Sequence, residues 1–152
     1  MPHALLLRTI EEAFADAVLG NGIGLHEANA IDSRESPDAC RLEREKDEEH
    51  DWRKIPIGDL NRCFSAYNWL DEDGLRFYLP AMMIAELSGM YGHNVGTRLS
   101  CRRFTKRYDL FTRAQRDAVI TFLNWCLSDG DYNDSEREDI VEALLNGYWK
   151  DA

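Results

Sequence analysis

The chain has 152 residues, of which 44% are hydrophobic and 11% aromatic, enough for a packed core and too much for a disordered chain. Its 28 acids against 18 lysines and arginines give a net charge of −10. A body this acidic repels nucleic acid and anionic membranes at long range and draws in basic partners.

The opening MPHALLLRTIEEAF holds a short apolar run, Ala4 to Leu7, broken by Arg8 and Glu11. It is too short for a signal sequence or a membrane span, and no later stretch is apolar for long enough; a cytoplasmic protein is expected. Leu6, Ile10, Phe14, Ala17 and Val18 recur at spacings of three and four, predicting an amphipathic helix that Gly20 ends. Thr9 with Glu12 reads as a capping box, which would start that helix late.

After the turn NGIG (21–24), LHEANAID predicts a short helix from Leu25 or His26. Ser36-Pro37 opens another, with proline in its first turn. That helix, DACRLEREKDEE, is nearly all charge. Trp52, Ile55, Pro56 and Ile57 form an irregular apolar connection, and Asp59 is expected to cap a helix through Leu60, Cys63, Phe64 and Tyr67. In GLRFYLPAMMIAEL (74–87), Pro80 lacks an N–H and disfavours helical geometry at Leu79. The reading is a short helix over 72–78 and a second, buried helix starting at Pro80; one helix kinked at Pro80 is the alternative.

YGHNVG (91–96) reads as loop, and residues 98–108 as a basic loop or short helix. Thr112 with Gln115 forms a capping box for a helix with Ala118, Val119, Phe122, Leu123, Cys126 and Leu127 on one stripe. Ser135 with Glu138 is expected to start the last helix, with Ile140, Val141, Leu144 and Leu145 inward and Gly147 as its stop. No strand alternation stands out. The expected fold class is all-α, a single domain over 1–152 of about six or seven helices around the buried helix at Pro80.

GLHEANAID, DWRKIP leading to DL, GLRFYLPAMMIAEL and LFTRAQRDAVITFLNW, in this order, resemble a bacterial family of small helical proteins known only as a domain of unknown function. The resemblance spans roughly residues 8–127, and its most specific piece is Phe77-Tyr78-Leu79-Pro80-Ala81. It implies an all-α fold and carries no established activity.

DGDYNDSEREDIVE (129–142) can be laid on a calcium loop from Asp131, with Asn133, Ser135, Asp139 and Glu142 at ligand positions. The position that needs glycine is Glu136, and the apolar one is Glu138; a capped helix with acids in its first turn is the plainer reading. His3, His26, His50 and His93 show no metal spacing, and Cys40, Cys63, Cys101 and Cys126 no C-x-x-C pair, so the cysteines read as reduced thiols. Neither metal nor cofactor is expected. Met82, Met83 and Met90 read as core rather than as an adaptable groove.

Residues 98–116 carry 7 bases against one acid, while residues 117–152 carry 9 acids against 2 bases. Arg98, Arg102, Arg103, Lys106 and Arg107, interleaved with Phe104 and Tyr108, form a basic patch of the kind that binds nucleic acid. The negative flanks favour an internal use, in pairs with the acidic helix 38–49 or the tail.

The expected function is a non-catalytic acidic binding protein, of the immunity or inhibitor kind, with a basic protein such as a toxin as partner. Glu43, Glu45, Asp47, Glu48 and Glu49 are the candidate partner-binding residues, since acidic surfaces speed association with basic proteins. The alternatives are an enzyme whose site is assembled from dispersed residues (Tyr78, Asp32 and Arg76 being candidates) and a weak nucleic-acid binder through 98–108. No membrane partner is expected, and the oligomeric state is left open.

Overall fold

The computed structural model describes residues 3–150, and among them there is no strand. In chain order the helices are α1 (His3–Ala13), α2 (Leu25–Asp32), α3 (Pro37–Arg44), α4 (Ile57–Arg62), α5 (Glu72–Leu87), α6 (Val95–Leu99), α7 (Arg113–Ser128) and α8 (Asp134–Leu145). Shorter 3-10 turns lie at Trp52–Lys54, Phe64–Trp69 and Arg102–Tyr108. The fold is all-α. Its contacts gather into two compact units, one made from the two ends of the chain (up to Ala15 and from Asn94 on), the other from Asp16–His93.

In the unit Asp16–His93, α2 packs on α3 and on the 3-10 turn Phe64–Trp69, and α5 packs on the turn Trp52–Lys54. The Ser36 hydroxyl accepts from Ala39 N at 3.1 Å and Pro37 takes the first turn, so α3 starts where the sequence places it. It ends at Arg44 rather than running on through the acids. The amides of Lys46 and Asp47 reach back only three residues, to Glu43 O and Arg44 O, tightening the chain into turns that bring Asp47 round toward α2. Asp59 lies inside the first turn of α4 instead of capping it, because α4 begins at Ile57, behind Pro56.

α5 runs unbroken from Glu72 to Leu87 with Pro80 inside it, so the buried helix does not start at Pro80. Asp71 caps it, accepting from Gly74 N at 2.9 Å. An interior proline costs a helix about 3 kcal/mol. Every residue from Phe77 to Met83 is buried, and full burial of a large apolar side chain contributes roughly 1.5–3 kcal/mol. Burial on both sides of the proline therefore outweighs the lost hydrogen bond. Met82 and Met83 are core, whereas Met90, beyond the helix end, is 56% exposed and does not share that role.

In the unit formed by the chain ends, α1 packs on α7, and α8 lies against α6 and α7. α1 already includes His3, and Thr9 sits in its interior with its hydroxyl donated to Leu5 O at 2.9 Å, so no capping box forms there. Leu6, Ile10 and Phe14 are buried, while Val18 is exposed. Thr112 and Gln115 form the expected box for α7: Gln115 N donates to the Thr112 hydroxyl at 3.2 Å and Thr112 N to Gln115 Oε1 at 3.0 Å.

The core of this unit is aromatic. Tyr108 and Phe111 pack on Trp149 at ring-centroid distances of 4.9 and 5.9 Å, and Phe14 meets Phe111 edge-on. Arg116 is buried among them, 4% exposed. Its guanidinium donates to Tyr108 O at 3.0 Å and to Tyr148 O at 3.1 Å and lies 5.2 Å from the Tyr148 ring centre. A buried cation needs such partners to offset its lost hydration.

Candidate functional site

Two features of the surface merit a functional reading, one in each unit. The first is a cleft of about 300 Å³ beside the start of α2, lined by His26, Lys46, Asp47, Lys54, Asp59 and Tyr78 among others. The residue before α2 is Gly24, which has no side chain to satisfy the helix's first amides. Acceptors come from elsewhere. The Asp47 carboxylate accepts from His26 N at 2.7 Å and Glu27 N at 3.3 Å. The Tyr78 hydroxyl accepts from Leu25 N at 3.0 Å, and Glu27 Oε1 from Gly24 N at 3.3 Å.

The preceding loop is held as firmly. Asp71 accepts from Ile23 N at 3.0 Å, and Arg44 donates to Gly20 O at 2.9 Å and Gly22 O at 3.1 Å. The GLHEANAID stretch is thus a helix start assembled from four separate parts of the chain.

The electrostatics of the cleft follow from burial. Desolvation pushes the Asp47 carboxyl above the usual carboxylate range, against the pull of the His26 and Glu27 amides. Burial likewise pushes the Tyr78 phenol up, helped by the nearby Asp47 charge. His26 Nε2 lies 3.4 Å from Asp59 Oδ2, and Asp59 also accepts from Arg62 at 2.8 Å. These groups are largely occupied in holding α2 and its neighbours.

The second feature is the outer face of α8. Asn133 is its cap, accepting from Glu136 N at 2.8 Å while Glu136 Oε1 accepts from Asn133 N at 3.1 Å, two residues ahead of the expected Ser135 and Glu138. The earlier start is fixed by Arg137, which donates to the carbonyls of Leu127, Gly130 and Tyr132 and folds the 128–133 turn around itself. Glu136 is bound further by the Thr97 hydroxyl at 3.0 Å, and the Asn133 amide and these side chains hold its carboxyl below the usual range.

With that register, Ile140 and Ala143 face inward, and Val141 and Leu145 do not. Val141 is 41% exposed and Leu145 79%. They line an open apolar surface together with Asp134, Glu138 and Glu142.

The acidic candidates of the sequence have divided roles. Asp47 is only 8% exposed and committed to α2. Glu48 accepts from His50 N and Asp51 N, which hold its carboxyl below the usual range. Glu43 pairs with Lys46 at 2.7 Å, Glu49 with Arg44 at 2.9 Å, and Glu45 is exposed. Of the basic segment, Arg102 pairs with Glu142 of α8, and Arg103 and Arg107 lie over the Phe104 ring. Arg98 is half-buried and Lys106 exposed. Of the dispersed candidates, Tyr78 lines the cleft. Asp32 accepts from Trp69 Nε1 at 2.8 Å and Ser65 Oγ at 3.0 Å, and Arg76 pairs with Asp73 at 3.1 Å.

Among the described residues no group of three or more His, Cys, Asp or Glu side chains could hold a metal ion, and no helix is long and apolar enough to cross a membrane. The α8 face went unseen in the sequence because four aliphatic residues near a chain end read as core. The spacing gave no warning, since Ile140, Val141, Leu144 and Leu145 fall within about 140° of one helix face, and only the packing of α8 buries Ile140 and Ala143 instead.

A family model described as a family of unknown function (DUF6714) matches residues 3–152. Comparison with curated proteins gives no match, and comparison with solved structures gives none either.

Proposed function

The chain belongs to the family of unknown function DUF6714, and we propose that it is a non-catalytic acidic protein that binds a basic partner protein, as an immunity or inhibitor protein does. The observation that carries this reading is the outer face of α8, where Val141 and Leu145 stand exposed beside Asp134, Glu138 and Glu142. An apolar patch rimmed by charge is a common form of protein interaction surface. The net charge of −10 adds long-range attraction for a basic protein such as a toxin. Exposed Glu45 and half-exposed Glu43 add to that field.

The test is co-expression of the tagged full-length chain with the products of neighbouring genes, followed by size-exclusion chromatography across a salt series. A salt-sensitive complex with a basic neighbour is expected. Failure to form a complex with any neighbour at low salt would reject the reading.

A second reading, an enzyme or small-molecule site at the α2 cleft, draws on the convergence of His26, Asp59, Lys54 and Tyr78 on one concavity. Its test is a thermal-shift screen for compounds that raise the midpoint of the wild type and not of His26→Ala. If no compound separates the two, this reading fails.

A further inference from the structure

Resting on the partner-binding reading, we propose that the stripe Asp134, Glu138, Val141 and Leu145 of α8 is half of a coiled-coil seam, and that its occupant is a basic amphipathic helix of the partner. The steps along the stripe are four, three and four residues, the spacing of core positions in a coiled coil. All four residues are exposed. Neither Asp134 nor Glu138 takes part in an ion pair among the described residues, whereas the neighbouring Glu142 is paired with Arg102. The stripe runs the 12 residues of α8, with about 17 Å between its first and last Cα at the rise of an α-helix.

The order of its residues selects the occupant. Acids fill the half toward the start of α8, and aliphatic side chains the half toward its end. A second copy of the chain fits badly in either direction. Laid parallel, it would set Asp134 and Glu138 against their own copies. Laid antiparallel, it would press those carboxylates onto Val141 and Leu145, stripping water from an anion with no cation to receive it.

A helix bearing Lys or Arg opposite the first half and Leu or Ile opposite the second satisfies both halves at once. Three turns of helix bury little area, so the contact by itself gives micromolar affinity at best and a fast exchange. Tighter binding in the complete complex draws on the rest of the partner.

The experiment uses the full chain and a labelled synthetic peptide of three heptads, with lysines at the core positions that face Asp134 and Glu138 and leucines at those that face Val141 and Leu145, read by fluorescence anisotropy. A control peptide carries glutamate in place of each lysine. Micromolar binding of the lysine peptide is expected, at least tenfold tighter than the control and weakened about tenfold between 25 and 200 mM salt if two or three charge pairs are made. Leu145→Glu and Val141→Lys are expected to weaken it at least tenfold with the far-UV circular dichroism unchanged. Glu138→Lys is a third variant, which reverses one charge, leaves the apolar residues in place and is expected to weaken binding as well.

Equal binding of the two peptides, or binding unaffected by all three variants, overturns the proposal. So does concentration-dependent dimerisation abolished by Leu145→Glu, which would make the occupant a second copy. If a neighbouring gene product binds the chain and the three variants leave that complex intact, partner binding stands and the α8 assignment falls.

Discussion

The Asp47 carboxylate occupies the space that a side chain at residue 24 would need: an ideal Cβ on Gly24 would come within 1.9 Å of Asp47 Oδ2. Glycine there is a matter of room, since Gly24 has an ordinary φ of −84°. Gly24→Ala must push Asp47 off the amides of His26 and Glu27. A loss of about 2–4 kcal/mol is expected, from two strained or broken hydrogen bonds to buried groups. Urea unfolding followed by circular dichroism measures it, and a change within about 0.5 kcal/mol would refute the account.

Asp47 itself titrates against the fold. Its folded-state carboxyl is pushed above its unfolded value by burial, so the native state holds the proton more tightly than the unfolded chain. Its contribution is most favourable below the unfolded value, near pH 4, and falls as pH rises through the folded one. Asp47→Asn, which cannot ionise, removes that slope. The stability of wild type minus variant is therefore expected to decline from about pH 4 upward and then level off. A difference that rises over that range would mean that the two amides, rather than burial, set the ionisation of this carboxyl.

Tyr78 offers a test of the same helix start without a change of charge. Tyr78→Phe keeps the ring and removes the oxygen that accepts from Leu25 N. A buried amide left without an acceptor costs about 1–3 kcal/mol. Double-mutant unfolding with Gly24→Ala should fall short of additivity, because both changes loosen one turn of α2.

The two faces of α8 should respond oppositely. Ile140, fully buried, is expected to lose about 2–4 kcal/mol on change to Ala. Leu145→Glu is expected to stay within about 0.5 kcal/mol of wild type. Thermal or denaturant melts of the pair decide whether the outer face belongs to the core of the isolated chain.

Arg137 joins three carbonyls of the turn before α8. Arg137→Ala is expected to cost about 2–3 kcal/mol, since hydrogen bonds from a charged donor are the stronger kind. Added calcium is expected to leave the melting midpoint of the wild type unchanged, because the guanidinium already engages the carbonyls of that turn. A calcium-dependent rise would revive the calcium-loop reading of 129–142.

The sequence made local signals legible. Ser36-Pro37 and the Thr112–Gln115 pair each act within four residues, and each starts a helix as its chemistry dictates. What it hid depends on distance. Asp47 looks like any other acid in REKDEE, and only its partners across the fold set it apart. Pro80 breaks a helix by local rules, yet the packing on both sides of it carries α5 through. Asn133 caps α8 in place of Ser135 because Arg137 shapes the turn ahead of it. For the site, the bare glycine before Leu25 was the one available hint that α2 needs acceptors from outside its own sequence.

That borrowed start has a kinetic meaning. A peptide cut out around α2 would have only water to accept from its first amides, and at 8 residues it is too short to repay the cost of helix nucleation, so it would stay coil. The amide protons of Leu25, His26 and Glu27 are therefore sealed by chain closure over 20 to 53 residues rather than by local helix formation. Their deuterium uptake reports on the opening of the whole surrounding unit, and should follow its cooperative unfolding rather than the fraying of a helix end.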